Sequence, residues 1–394
     1  MKIGILTFHY SINPGSVMQA YCVYSLLKKA LPGANVEIIN LIPSNREKIS
    51  RNFFSSKPPF IRANKLIKYY SIRNFINKNT PLSKLCTKAD LNEQIDFING
   101  LEYDYIFTGS DTVWMYSDKL SKKLPNIYFL PTSIKSQKVS IAASVDPLTH
   151  PVEYLKRKEV LLPTFNQYKS ILVRDKVTED LLKEIGVHQP HKIADPTLLY
   201  DFEKDFNIKT NKTPDIKKKV VLIGVTDKKI AGWIKKLLKK HSKVYTFLDR
   251  KRIKILRKNK KNGLHIFEDH VLDQLNLYSK IDIIITDRFH GSIFSMKLSN
   301  SLVINVERFN KNPLPNSKGR DLFTSIGIPE YCLRLDQNNQ PEFKKKLLGL
   351  IDQWDSQRFL NRENLLREFI SQNQMEWKNH VEQTITDQDN VLPF

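Results

Sequence analysis

Short runs of β-branched and aromatic residues alternate with amphipathic stretches along most of this chain, and no other feature limits the fold as strongly. The strand candidates of the first half are Ile3–Phe8, Val36–Leu41, Tyr105–Thr108, Val139–Ala143 and Ile171–Val173. Between the first two, Val17, Ala20, Tyr21, Tyr24, Leu27 and Leu31 recur at helical spacing within Ser16–Leu31. A second series follows a polar, Lys-rich stretch. It runs strand Val220–Val225, helix Lys228–Lys240, strands Val244–Leu248 and Leu264–Phe267, and helix Val271–Lys280. Strand Ile283–Thr286, helix Gly291–Leu298 and strand Leu302–Val306 complete it. Such alternation builds parallel sheets flanked by helices. The expectation is an α/β fold of two Rossmann-like domains facing across a cleft, spanning 1–206 and 220–335, with a linker at 207–219. The tail, 336–394, reads as helices, with Phe343, Leu347, Leu348 and Ile351 as the first apolar stripe.

The chain has 394 residues, of which 41% are hydrophobic and 10% aromatic. That is enough to bury a sizeable core, and it excludes disorder of the whole chain. Cys22, Cys86 and Cys332 are scattered, without the paired spacing of a zinc site, a redox motif or a disulfide framework. Reduced thiols in a cytoplasmic protein are the expectation. No run approaches the ~20 apolar residues that cross a bilayer. The apolar run from Ile3 breaks at His9, too early for a signal-peptide core, and reads as a first buried strand.

In open α/β sheets, ligands gather at the carboxyl ends of the strands. Four segments lie at such ends. The first, Phe8-His9-Tyr10-Ser11-Ile12-Asn13-Pro14-Gly15-Ser16, joins a strand to a helix. There Gly15 permits close backbone approach, and Ser16 is placed to cap the helix beside N–H groups that suit an anion. An ordinary Pro-Gly helix entry explains the same residues. The second, Gly109-Ser110-Asp111-Thr112-Val113-Trp114, offers a sugar a Ser110–Asp111 turn and an aromatic face. Equally, Asp111 caps a helix and Trp114 fills the core.

The third is Val173-Arg174-Asp175, where Arg174 either contacts a carboxylate or phosphate or pairs internally with Asp175 or Asp195. The fourth is the sharpest: Ile284-Ile285-Thr286-Asp287-Arg288-Phe289-His290-Gly291-Ser292. In an extended loop Arg288 and His290, two apart, point the same way. A cation for an anionic ligand beside a side chain titrating near neutrality makes a plausible catalytic pair. The alternative is a helix capped by Asp287 with His290 on a solvated turn.

Taken in order, these segments, with Ala194-Asp195-Pro196-Thr197-Leu198-Leu199, resemble the polysaccharide pyruvyl transferase family over about residues 3 to 330. The resemblance implies a two-domain fold similar to the GT-B glycosyltransferases. It further implies transfer of pyruvate from phosphoenolpyruvate onto two sugar hydroxyls as a cyclic ketal, in cell-surface polysaccharide biosynthesis. Arg174, Arg288 and His290 fall on the family's donor-binding and catalytic positions. Gly15, Ser16, Ser110, Asp111 and Gly291 are the expected substrate-binding residues. No metal is expected, since no His/Cys/carboxylate cluster has ligand spacing, and no cofactor beyond the phosphoenolpyruvate donor.

Charge adds a separate question. With 63 Lys+Arg against 41 Asp+Glu the chain carries +22. Ten Lys/Arg and no acid lie between Lys48 and Lys88, interleaved with aromatics, and fifteen against one acid between Lys228 and Lys261. Three readings compete: an anionic membrane surface, fitting a sugar acceptor on a lipid diphosphate; nucleic acid; and a solvated Lys-rich surface. Nucleic acid ranks lowest, because no recognisable binding motif is present. The alternatives to pyruvyl transfer are a GT-B-like glycosyltransferase using a nucleotide sugar, and a non-catalytic basic membrane- or nucleic-acid-associated protein.

Overall fold

A computed structural model describes residues 1–11, 13–43, 59–116, 124–145, 151–208, 220–238, 243–246, 270–308, 317–336 and 338–386. Six strands form the first sheet: β1 (Lys2–Leu6), β2 (Asn35–Ile38), β3 (Tyr105–Asp111), β4 (Gln137–Ala143), β5 (Tyr168–Val173) and β6 (His191–Lys192). All its pairings are parallel, in the order β2-β1-β3-β4-β5-β6. Both faces are covered, so the strands are apolar almost throughout: Ile3, Ile5, Leu6, Ile106, Phe107 and Ile141 are buried. Helix α1 (Pro14–Ala30) follows β1, α2 (Pro59–Asn79) packs on α1 through Tyr21 and Phe75, and α3 (Lys176–Ile185) follows β5.

The second sheet contains β7 (Val220–Gly224), β8 (Lys243–Thr246), β9 (Ile283–Thr286), β10 (Leu302–Arg308) and β11 (Cys332–Leu335). It is also wholly parallel, in the order β11-β10-β9-β7-β8. Read from its own first strand, this repeats the 2-1-3-4-5 order of the first sheet. In each sheet the order reverses between the first and third strands. The rule for open α/β sheets puts the ligand position at the carboxyl ends of β1 and β3 in one unit, and of β7 and β9 in the other. Helices α4 (Phe289–Leu298), α5 (Lys318–Ile326) and α6 (Gln340–Asp352) belong to the second unit, and α7 (Ser356–Thr386) ends the described chain.

The compact units divide the chain differently from the 1–206, 220–335 and 336–394 boundaries. One comprises Met1–Pro196 together with the chain from Asn373, the other Thr197–Gln372. Packing explains both shifts. Phe202 meets Phe294 of α4 edge to face at 5.6 Å, and Lys297 of α4 donates to the carbonyls of Leu198 and Tyr200. Within α7, Arg362 is buried, its Nη1 donating to the Ser301 carbonyl. Farther along, the Asn373 amide oxygen accepts from the Ala194 N–H at 2.8 Å, and Trp377 and Val381 are buried. The expected stripe of α6 holds for Phe343, Leu347 and Ile351, which are buried, whereas Leu348 is half-buried.

Most of the expected linker (209–219) and the strand candidate 264–267 lie outside the described residues. So do residues 48–58 of the first basic segment and 239–242 and 247–261 of the second. Among the described residues no helix is long and apolar enough to cross a membrane.

Candidate functional site

In the first unit, the exit of β1 is stitched to the exit of β3 by Thr7, whose hydroxyl donates to the Ser110 carbonyl at 2.9 Å. Gly109 adopts φ +121°, and a Cβ there would stand 2.1 Å from the Ile141 carbonyl oxygen, so only glycine fits. Asp111 also has positive φ, +102°, uncommon for a residue with a side chain, and its carboxylate accepts from the Thr112 N–H at 2.8 Å. The described residues after it, Thr112–Tyr116, are turn and coil and not helix. Trp114 is fully buried. Its ring lies 5.0 Å from Phe165 and 6.0 Å from Phe129, and its Nε1–H donates to the Tyr128 carbonyl at 3.1 Å. The aromatic face expected for a sugar is therefore a core side chain instead.

The expected capping role of Ser16 also fails. The N-cap of α1 is Asn13, whose side chain accepts from the Gly15 N–H at 3.1 Å, with Pro14 opening the helix. Gly15 and Ser16 are buried in its first turn, and the Asn13 amide donates to the Ser16 hydroxyl at 3.3 Å.

Arg174 leaves the end of β5 with its side chain only 3% exposed, and its Nη1 donates to Asp195 Oδ2 at 3.1 Å. Its Nε lies 3.9 Å from Asp175. Burial alone pulls the guanidinium pKa down, but Asp195, Asp111 and Asp175 outweigh it and raise the pKa above its ordinary value. Both internal pairings open in the sequence are formed, the one with Asp195 hydrogen-bonded and the one with Asp175 longer. Asp175 also caps α3, accepting from the Thr178 N–H at 3.0 Å and from the hydroxyls of Thr178 and Ser144 at 2.7 and 2.6 Å.

Gln19 and His9 also fall outside the sequence-derived site residues. Gln19, fully buried in α1, donates to Ser110 Oγ at 2.7 Å and to Asp195 Oδ2 at 2.5 Å. The sequence signal was a lone amide inside the apolar stretch Val17–Ala20. His9 is the other: buried just beyond β1, its ring nitrogens lie 3.2 Å from the Thr7 carbonyl and 3.1 Å from Asn40 Oδ1. Burial drops its pKa from 6.5 to about 4, against the hydrogen bonds to Asn40 and Thr7 and with help from the Arg73 charge.

In the second unit, Asp287, Arg288, His290 and Gly291 stand at the exit of β9. The alternative of an Asp287 cap is not realised, because its carboxylate is taken by Thr226 at the exit of β7. Arg288 is the N-cap residue of α4 in extended conformation, exposed, while His290 already lies inside the first helical turn. The two are thus not neighbours on one face of an extended loop. His290 is half-buried and stacks on Phe294 at 5.9 Å, with Phe289 edge-on at 5.4 Å. Gly291 packs against the strand end, where a Cβ would meet Thr286 Oγ1 at 3.2 Å and Tyr278 Oη at 3.3 Å. Behind it, Ser292 is buried and accepts from Asn305 at 3.1 Å. A helix start without a side-chain cap, beside a guanidinium and an imidazole, suits an anion that exchanges a proton. Among the described residues no three His, Cys, Asp or Glu side chains gather as a metal ion would need.

The fold defines the class first. Over 100% of this chain and 97% of its own, a protein from Listeria monocytogenes described as a UDP-N-acetylglucosamine 2-epimerase is similar at 9% identity and TM-score 0.51. Weaker likenesses, which add nothing to the fold argument, include two further proteins. The S. aureus MnaA–UDP structure has 10% identity, TM-score 0.46, and 92% and 90% of the two chains covered. The spinosyn rhamnosyltransferase SpnG has 12% identity, TM-score 0.43, and 94% and 96% covered. The chain is a GT-B-like protein of two Rossmann-like units. The family model for polysaccharide pyruvyl transferases matches residues 13–299, and the chain belongs to that family. No curated protein sequence matches it at a significant level.

Proposed function

We propose that this transferase moves the pyruvyl group of phosphoenolpyruvate onto two hydroxyls of a sugar in a cell-surface polysaccharide precursor, forming a cyclic ketal. The observation that carries the reading is the placement of Arg288 and His290 at the N-terminus of α4, beside the switch point of the second sheet. Phosphoenolpyruvate brings a carboxylate and a phosphate, which Arg288 and the N-terminal N–H groups of α4 are suited to receive. His290 gives a proton to the methylene carbon. The neighbouring carbon then accepts one sugar hydroxyl, whose proton returns to His290, the phosphate departs with its bridging oxygen, and the second hydroxyl closes the ketal, its proton leaving on the phosphate. Ser110 and Asp111, at the β3 exit, are assigned to the sugar, and Arg174 to the negative charge of the donor.

The test is phosphate release from phosphoenolpyruvate in the presence of a panel of free, nucleotide-linked and lipid-linked sugars. His290→Ala and Arg288→Ala are each expected to lower the rate about 100-fold or more. Rates equal to the unsubstituted protein in both variants overturn the assignment. Stabilisation by nucleotide sugars but not by phosphoenolpyruvate in a thermal-shift series points instead to glycosyl transfer.

A further inference from the structure

A buried carboxamide in the first unit, that of Gln19, bridges two strand ends. Its nitrogen donates to Ser110 Oγ at 2.7 Å and to Asp195 Oδ2 at 2.5 Å, and that same carboxylate oxygen accepts Arg174 Nη1 at 3.1 Å. Gln19, Ser110 and Asp195 are each no more than 1% exposed. One side chain on α1 thus joins the carboxyl end of β3 to the residue Asp195 beyond β6, and through Asp195 to Arg174 beyond β5. The orientation is forced. Turned over, the amide would set its oxygen against an ionised carboxylate.

The other end of the amide is informative. Gln19 Oε1 is buried with no hydrogen-bond partner. A buried acceptor left empty is a standing cost that an apolar side chain of similar volume avoids. Packing alone would favour Leu or Met here. We propose that Gln19 is a positioning residue: it holds Asp195, and through Asp195 the Arg174 guanidinium, in register with Ser110 and Asp111. Arg174 sits among three carboxylates, Asp195, Asp111 and Asp175. Its direction toward a substrate anion therefore depends on how those carboxylates are fixed, and Gln19 fixes the one that Arg174 touches. The inference rests on the reading that Arg174 serves an anionic donor.

Gln19→Glu gives the sharpest test. It sets a second carboxyl against Asp195, and two carboxylates so close cannot both ionise, so one proton is retained well above the ordinary carboxylate range. While that proton stays, the introduced carboxyl still donates to Asp195; once it leaves, the contact becomes repulsive. Phosphoenolpyruvate titrations of the unsubstituted protein, Gln19→Glu and Gln19→Met, from pH 5 to 9, read the effect. The Gln19→Met variant is expected to bind about tenfold more weakly at every pH, the size of one lost charge-assisted hydrogen bond. Gln19→Glu is expected to bind normally at the acid end and about tenfold more weakly at the alkaline end. An unchanged pH profile in Gln19→Glu, or normal binding by Gln19→Met, overturns the proposal.

A urea-denaturation cycle between Gln19→Met and Arg174→Met reads the linkage without any ligand. Non-additive effects support it, and additive effects overturn it. Failure of the unsubstituted protein to bind phosphoenolpyruvate defeats the donor reading alone, and the cycle still decides whether Gln19 holds Arg174.

Discussion

Asp287 receives both the backbone N–H and the hydroxyl of Thr226: the N–H lies 3.1 and 2.9 Å from its two carboxylate oxygens, and the hydroxyl 2.9 Å from Oδ1. The exits of β7 and β9, sixty-one residues apart in sequence, are thereby locked beside each other. With the carboxylate occupied, α4 starts at Arg288 without a side-chain cap. Asp287→Ala is expected to cost about 1–2 kcal/mol of stability and to lower activity well beyond that of a protein with equal stability loss. Thr226→Val keeps the N–H contacts and is expected to cost less than half as much. Urea denaturation beside phosphate release checks both, and a larger effect from Thr226→Val would contradict the argument.

Arg174 and Asp195 form a pair whose two halves are not equivalent. Removing Arg174 takes from Asp195, Asp175 and Asp111 the cation that attracts all three, whereas removing the Asp195 charge leaves Arg174 with Asp175 and Asp111. Arg174→Met is therefore expected to cost about 3–5 kcal/mol, the usual penalty for a broken buried pair. Asp195→Asn is expected to cost about 1–2 kcal/mol. Equal losses in chemical denaturation would show that the three acids do not share one cation.

Much of the fold was legible because parallel strands covered on both faces must be apolar throughout. The runs around Ile5, Phe107, Ile141 and Ile285 carry that pattern without tertiary information. Elements set by context were not. Strand β6 has two residues, too short for a period to show, and the four of β11 are interrupted by the exposed Arg334. The unit boundary near Pro196 depends on Phe202 finding Phe294, a pairing that no local pattern encodes. Turn chemistry decided the rest: Asn13 and Asp175 took the caps, while Asp287 took Thr226 in place of its own helix. At the candidate site the strand-end segments were visible in the sequence, but the partners of Arg174 were open and Gln19 was only one letter in a buried helix. Trp114 shows the limit most plainly, since an aromatic residue beside a polar turn reads alike for a sugar platform and for a core.

His9 gives the fold a pH dependence of definite sign. Burial holds its folded pKa at about 4 against an ordinary 6.5, so between those values the unfolded chain binds a proton that the folded chain refuses. Stability is complete above pH 6.5 and falls as the pH drops through that window, by on the order of 3 kcal/mol in total. His380, also lowered by burial and by the nearby His191, acts in the same direction. His9→Gln is expected to flatten most of the slope of urea midpoint against pH between 6.5 and 4, leaving the His380 share. A slope unchanged in that variant would assign the acid sensitivity elsewhere.

Gly291→Ala sets two effects of opposite sign against each other. Alanine in a helix ordinarily gains about 1 kcal/mol over glycine. Here the new methyl meets Thr286 Oγ1 at 3.2 Å, Arg288 Cβ at 3.3 Å and Tyr278 Oη at 3.3 Å. Two of those neighbours have no room to yield. Thr286 is fully buried, donates to the Gly224 carbonyl at 3.2 Å and accepts from the Arg288 N–H at 3.1 Å, and Tyr278 is buried and accepts from Gln274. Relief must therefore come from the first turn of α4, moving Arg288 and His290 outward from the strand end. The variant is expected to lose about 1 kcal/mol net, as overpacking outweighs propensity. It is also expected to lower phosphate release about tenfold or more, because groups that must meet one small donor tolerate little displacement. A variant as active as the unsubstituted protein and more stable would mean that the helix start yields freely and that its close seat on β9 does not position the pair.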